Sequence, residues 1–264
     1  MIQPYDNVTY VLGAAAGIGT TMLAQSIAEW LSDCGQKVLL MSCNAISGVC
    51  FLTVDENTRC LDDYRNQLQN HLLTQTEVRE LLLHTPKLTV LLGMRSILGR
   101  GLYQPGDMQA LLSLLVNDYD QIIIDCDSIE QGLTVGALQV AARGFYIITQ
   151  QEKVVNAARQ QSTERVLAQI GAADPIVVVN QYVETGIRLL MEEINLTLNT
   201  KALQVPYTNY GWQAEHDHKS MLVYGMAEYR TAIELLVKHI APQVCSESSS
   251  EKKGWLSQLR GGKR

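Results

Sequence analysis

The chain has 264 residues, 47% of them hydrophobic and 18% charged, with a formal net charge of −6. That length is near the upper size of one α/β domain and allows roughly 75% of the unfolded surface to be buried, while the acidic balance argues against general nucleic-acid binding by the body of the protein. The charge is unevenly spread: the stretch 246–264 carries five basic side chains against two glutamates, a net +3, which leaves −9 for the rest.

In chain order, apolar runs suited to buried parallel strands fall at 8–12 (VTYVL), 37–42 (KVLLMS), 88–93 (LTVLLG), 121–126 (QIIIDC), 144–149 (GFYIIT) and 175–180 (PIVVVN). Helical periodicity occupies Thr21–Ser32, Met108–Val116, Asn156–Ile170 and Ile187–Leu198 between them. This alternation predicts an α/β fold: one doubly wound, mostly parallel sheet with right-handed crossovers and helices on both faces. The domain is expected to span 1–241. A Ser/Glu-rich linker, 242–250, is expected to be disordered, and a basic tail follows at 251–264. The six cysteines, Cys34, Cys43, Cys50, Cys60, Cys126 and Cys245, show neither CxxC pairing nor metal spacing. They read as buried free thiols in a reducing compartment. The N-terminus has no signal-peptide pattern and the chain has no run of 18 apolar residues, so a cytoplasmic protein is expected.

The first strand runs into GAAAGIGTTMLAQ (13–25). A glycine-bearing loop opening a helix is where backbone N–H groups and the helix dipole meet a ligand phosphate. Gly13-x-x-x-Gly17-x-Gly19 is similar to the cofactor loop of short-chain dehydrogenases, an NAD(P)-binding alternative that would also require Tyr-x-x-x-Lys. None of the eleven tyrosines has a lysine four residues on. The gapless stretch 15–44 instead resembles the deviant Walker A segment of the ParA/MinD (SIMIBI-class) P-loop ATPases, K-G-G-V-G-K-T-T with its following helix and strand. The 16-residue interval from Gly19 to Gly35 is that family's spacing, about one helical turn longer than the dehydrogenase interval. YDQIIIDCDS (119–128) resembles the family's Walker B strand, GLTVGALQVAA (132–142) the helix after it, VVVNQ (177–181) its adenine-contacting asparagine, and VPY (205–207) the segment that ends a later strand near the base.

The resemblance implies a nucleotide site formed by Gly17, Ile18, Gly19, Thr20, Thr21, Met22, Asp125, Asn180, Pro206 and Tyr207. ATP or ADP is the implied ligand, with magnesium held through Thr21 and Asp125 only when nucleotide binds. It also implies what is missing. Ala15 stands at the signature lysine and Thr20 at the Walker lysine, while Ser42 and Asn44 replace the aspartates after the second strand. Phosphoryl transfer depends on positioned charge, and losing one such donor typically costs roughly 3–4 kcal/mol. A pseudo-ATPase with no catalytic residues and weak or vestigial nucleotide binding is therefore expected. His216 and His218 in EHDHK lack a third ligand and read as a solvated loop rather than a metal site.

The tail EKKGWLSQLRGGKR (251–264) resembles the C-terminal membrane-targeting sequence of MinD. Trp255, Leu256 and Leu259 fall on one face of a short helix, with Lys252, Lys253 and Arg260 around it. The resemblance implies a homodimer, peripheral on the inner face of the cell membrane and bound to an anionic surface; from the acidic balance no specific nucleic-acid partner is expected. It further implies a localisation or scaffold factor within a membrane-associated assembly. Among relatives, the TadZ/CpaE group, which places Tad-type pilus or secretion apparatus, is known for altered Walker loops. The alternative within the family is an active ATPase in partitioning or division-site placement.

Overall fold

The structure, a computed structural model, describes residues 3–46, 52–127, 129–163, 165–186, 188–224 and 226–243. The linker from 244 onward and all of the tail residues proposed for membrane binding lie outside the described residues. An eight-stranded sheet is formed by β1 (Tyr5–Gly13), β2 (Val38–Ser42), β3 (Leu82–His84), β4 (Thr89–Leu91), β5 (Gln121–Cys126), β6 (Ala141–Ile148), β7 (Ile176–Tyr182) and β8 (Leu203–Pro206), in the order β3-β4-β2-β5-β1-β6-β7-β8. All pairings are parallel except that of β3 with β4.

Helices cover both faces, because successive strand residues point to opposite sides. Val8, Tyr10, Leu12, Ile122 and Ile124 pack towards α4 (Pro105–Leu115), α5 (Gly132–Val140), α6 (Glu152–Thr163) and α8 (Met191–Leu198). Val11, Leu40, Ile123, Phe145 and Ile147 pack towards α1 (Thr20–Asp33) and α10 (Ala227–Ile240). The expected doubly wound architecture is present. Short helices α2 (Arg65–Gln69), α3 (Gln75–Leu81), α7 (Val166–Gln169) and α9 (Gly211–His216) and 3-10 segments at Leu61–Tyr64, Ile97–Leu102 and Met221–Tyr224 also lie among the described residues.

Two predicted helices differ in detail. The periodicity over 156–170 is split into α6 and α7, because Arg165 between them adopts a left-handed conformation with φ 51°. The helix expected from Ile187, a residue outside the described ones, starts at Met191, where Glu193 reaches back to accept a hydrogen bond from the Leu190 N–H at 2.7 Å, as an N-terminal cap. The three-residue edge strand β3 is too short to register as a periodic pattern. Of the six cysteines, Cys43, Cys60 and Cys126 are buried and Cys34 is half-buried, all as free thiols, whereas Cys50 and Cys245 lie outside the described residues.

The centre of the sheet has one unusually close fit. Tyr10 on β1 is in register with Gly144 on β6, and its ring lies over the glycine: a Cβ at 144 would sit 1.9 Å from the ring. The Tyr10 hydroxyl, fully enclosed, donates to the Ala173 carbonyl at 2.7 Å, which fixes the ring and prevents it from yielding. Gly144→Ala is expected to destabilise the protein by about 1–3 kcal/mol or more through overpacking. Urea unfolding measures this as a fall in midpoint, and an unchanged midpoint would rule the contact out as a constraint.

Candidate nucleotide site

The sheet's strand order reverses at β1, which has β5 on one side and β6 on the other, and the loop after β1 opens at that switch point. Its path is set by the main chain. The Ala14 N–H donates to the Ile147 carbonyl of β6 at 2.9 Å, and Ile18 is buried in the core beneath the loop. Gly17 and Gly19 have φ of 74° and 85°, the left-handed region that glycine tolerates best. Asn180, at the end of β7, donates its side-chain amide to the Ile18 carbonyl at 2.7 Å, and a Cβ on Gly19 would meet that same nitrogen at 2.6 Å. Gly19 is the N-cap of α1 with no side-chain cap, and the first turn carries no acidic residue. The positive end of the helix is thus left to whatever occupies the cleft.

The carboxyl ends of β5 and β2 supply the second cluster. Asp125 is wholly buried, and its Oδ2 accepts hydrogen bonds from the Thr21 hydroxyl at 2.9 Å and the Asn44 amide at 2.8 Å. Its Oδ1 is buried without a hydrogen-bond partner. Burial pushes the Asp125 carboxyl up to about 7, and the nearby charge of Asp127 adds to the rise, against the two hydrogen bonds. Asn44 therefore does more than mark a lost aspartate. A carboxylate there would face Asp125 with like charge, whereas the amide donates to it.

These residues line an open cleft of about 950 Å³, a volume in the range of small-molecule sites. Loop residues 13–17 and 19–21 form one end; Pro206, Tyr207 and Trp212 form another. Tyr207 is 49% exposed and Trp212 is 84% exposed, so both rings have free apolar surface. Of the residues predicted from sequence, Gly17, Gly19, Thr20, Thr21, Met22, Asp125, Asn180, Pro206 and Tyr207 all line the cleft; Ile18 lies beneath it in the core. Sequence reasoning passed over Trp212, although it follows Tyr207 closely in an aromatic stretch. It also passed over Arg100 and Glu130, which no motif marks, and over Asp127 and Glu215, which lie in the stretches YDQIIIDCDS and EHDHK but were not singled out there.

The residues present fit a magnesium–nucleotide: an uncapped helix start, a threonine hydroxyl, and a buried carboxylate oxygen without a partner. Thr21 and Asp125 would hold the metal, which supplies charge compensation to the phosphates when bound. The loop 13–22 carries no cationic side chain. Ala15 presents only a methyl group, and the Thr20 hydroxyl is turned back over Gly13, where an added Cβ would lie 2.4 Å from it.

The raised Asp125 has a consequence for stability. Between the ordinary carboxylate range and about pH 7 the unfolded chain has lost this proton while the folded chain keeps it. Stability therefore falls as pH rises through that window and levels off above it. Asp125→Asn is expected to be more stable than the parent at pH 8, by on the order of 2–4 kcal/mol at most, with the difference shrinking towards pH 4. Urea unfolding at both pH values tests this, and equal stability at pH 8 would refute it.

No family model matches the sequence, and comparison with curated proteins finds no match. Solved structures do match in shape. The ParA family ATPase from Chlorobium tepidum TLS superposes with a TM-score of 0.75 at 17% identity, over 89% of this chain and 99% of that one. The septum site-determining protein MinD from Pyrococcus horikoshii OT3, complexed with Mg-ADP, gives 0.69 at 16% identity, over 91% and 96%. The MinC:MinD cell division protein complex of Aquifex aeolicus gives 0.73 at 17% identity, over 90% and 96%. Matched over nearly the full length of these structures, the chain has the fold of the ParA/MinD ATPases.

Proposed function

We propose that this protein is a catalytically impaired ParA/MinD-like factor that binds ATP or ADP with magnesium weakly, dimerises, and acts as a membrane-associated localisation or scaffold protein. One observation carries the reading: the cleft keeps the shape of a nucleotide loop, with Thr21 and Asn44 converging on Asp125, while Ala15 and Thr20 occupy the lysine positions. Binding can rest on backbone amides, the helix dipole, Thr21 and Asn180. Turnover cannot be supported in the same way, since each missing donor is worth roughly 10²–10³ in rate and the losses need not add.

Membrane attachment is assigned to the tail. Trp255, Leu256 and Leu259 would insert, and Lys252, Lys253 and Arg260 would add about 1 kcal/mol each at an anionic leaflet. A single short segment binds marginally, so two copies in a homodimer give residence through effective concentration. No helix among the described residues is long and apolar enough to cross a membrane, which fits peripheral attachment. The partner machinery is placed in the Tad-type pilus or secretion class, from the altered loop. The MinC:MinD complex of Aquifex aeolicus is a precedent for this fold docking a second protein.

Calorimetric titration with Mg-ATP and phosphate release on the same sample test the central claim. Binding in the micromolar-to-millimolar range with negligible turnover is the expected result, and turnover lost in Thr21→Ala would establish an active ATPase instead. Flotation with anionic vesicles tests the tail: binding should disappear when 251–264 are removed, and retention of binding would refute its role.

A further inference from the structure

The loop has lost its cations, yet the cleft retains one. Among the described residues that line it, Arg100 is the single cation, facing Asp125, Asp127, Glu130 and Glu215. Arg100 comes from neither the loop nor α1. It belongs to the 3-10 segment Ile97–Leu102, which follows β4 on the other flank of β5. Its guanidinium pairs with Asp127, two residues beyond Asp125: Nη2 donates to Oδ1 at 2.8 Å, and Nε lies 2.5 Å from Oδ2.

Two features distinguish this pair from a buried structural clip. The Arg100 side chain is 41% exposed while that of Asp127 is only 13% exposed, so the anion is fixed in the protein wall and the cation reaches into solvent. The pairing uses one Nη2 N–H, and Nε is buried against Oδ2 without a hydrogen-bond partner, so the two Nη1 donors and the second Nη2 donor are left for another acceptor. A planar fork of this kind matches phosphate oxygens bidentately.

We infer that Arg100 is the phosphate-binding cation of this cleft: it is paired with Asp127 and supplies, from a different element, the charge missing at Ala15 and Thr20. The inference rests on the nucleotide reading above and adds to it a specificity, since a cation at the phosphate end rewards each additional phosphate. Asp127 is then a competitor for Arg100, and removing its charge should strengthen binding. A residue that merely braced the 97–102 segment would show no such effect.

The test is calorimetric titration of the full chain, Arg100→Gln and Asp127→Asn with ATP, ADP and AMP. Each titration is run with magnesium and again in chelator, so that an effect of Asp127 on metal at Asp125 is separated from its effect on Arg100. Arg100→Gln should weaken ATP by about tenfold or more and AMP by much less, and Asp127→Asn should tighten ATP severalfold in chelator. ATP affinity unchanged in Arg100→Gln, with the parent still binding, would overturn the role of Arg100 and leave the nucleotide reading intact. Absence of binding by the parent and by Asp127→Asn would overturn the nucleotide reading itself. If Arg100→Gln fails to fold, Arg100→Lys keeps a cation without the fork, and ATP affinity equal to the parent's in that variant overturns bidentate recognition.

Discussion

Asp125 is wholly buried at the end of a central strand and is held there by neutral donors, so the segments that meet at the carboxyl edge of the sheet must be arranged around it. α1 has to begin close enough for Thr21 to donate, which fixes how β1 hands over to the helix. β2 has to end so that residue 44 reaches the same oxygen, and that residue has to be a donor. Asn44 satisfies this where an aspartate would add a second charge at hydrogen-bonding distance, a pairing that forces one of two carboxylates to remain protonated. The amide at position 44 therefore makes the burial of Asp125 tenable.

The shape of the loop is maintained without charge. Left-handed Gly17 and Gly19, the Ala14–Ile147 hydrogen bond and the amide of Asn180 on the Ile18 carbonyl are all main-chain constraints, indifferent to whether residues 15 and 20 carry lysines. This separation is consistent with a chain that superposes on ParA and MinD structures over nine-tenths of its length at only 16–17% identity. Fold and function reside in different atoms. Here the division falls between the backbone of the loop and the side chains it would have displayed.

What could be read in the sequence follows the same division. The strands and α1 were legible because a parallel sheet covered on both faces demands unbroken apolar runs and its helices a 3.6-residue stripe. Thr21, Asp125 and Asn180 were legible because their roles fix them at set distances from a glycine loop or a strand end. Arg100 and Asp127 carry no such signature: they meet through the pairing of β4, β2 and β5, and the spacing of the 97–102 segment from β5 along the chain says nothing of it. The break at Arg165 was hidden because periodicity reports which face is apolar, and a single left-handed residue leaves that pattern almost intact.

The distribution of charge in the cleft bears on how such a site can respond to a ligand. A lysine-bearing loop carries its charge on the element that wraps the phosphates, so binding leaves the charge where it was. In this chain the loop is neutral, four carboxylates line the cleft, and the cation sits on a separate segment with an anion of the protein as its resting partner. A polyanion that binds Arg100 therefore competes with Asp127 for its charge. It must also approach Asp125, whose Oδ1 lacks a partner and whose charge is unfavourable until a proton or a metal ion compensates it. The buried carboxylate is thus electrostatically incomplete, and the groups around it come from β2, β5, α1 and the 97–102 segment. Occupancy would tie β2, β5 and α1 together through Asp125 and the 97–102 segment through Arg100. A neutral loop thereby gives up the strength of the bond to phosphate while keeping the means by which binding reaches the rest of the fold.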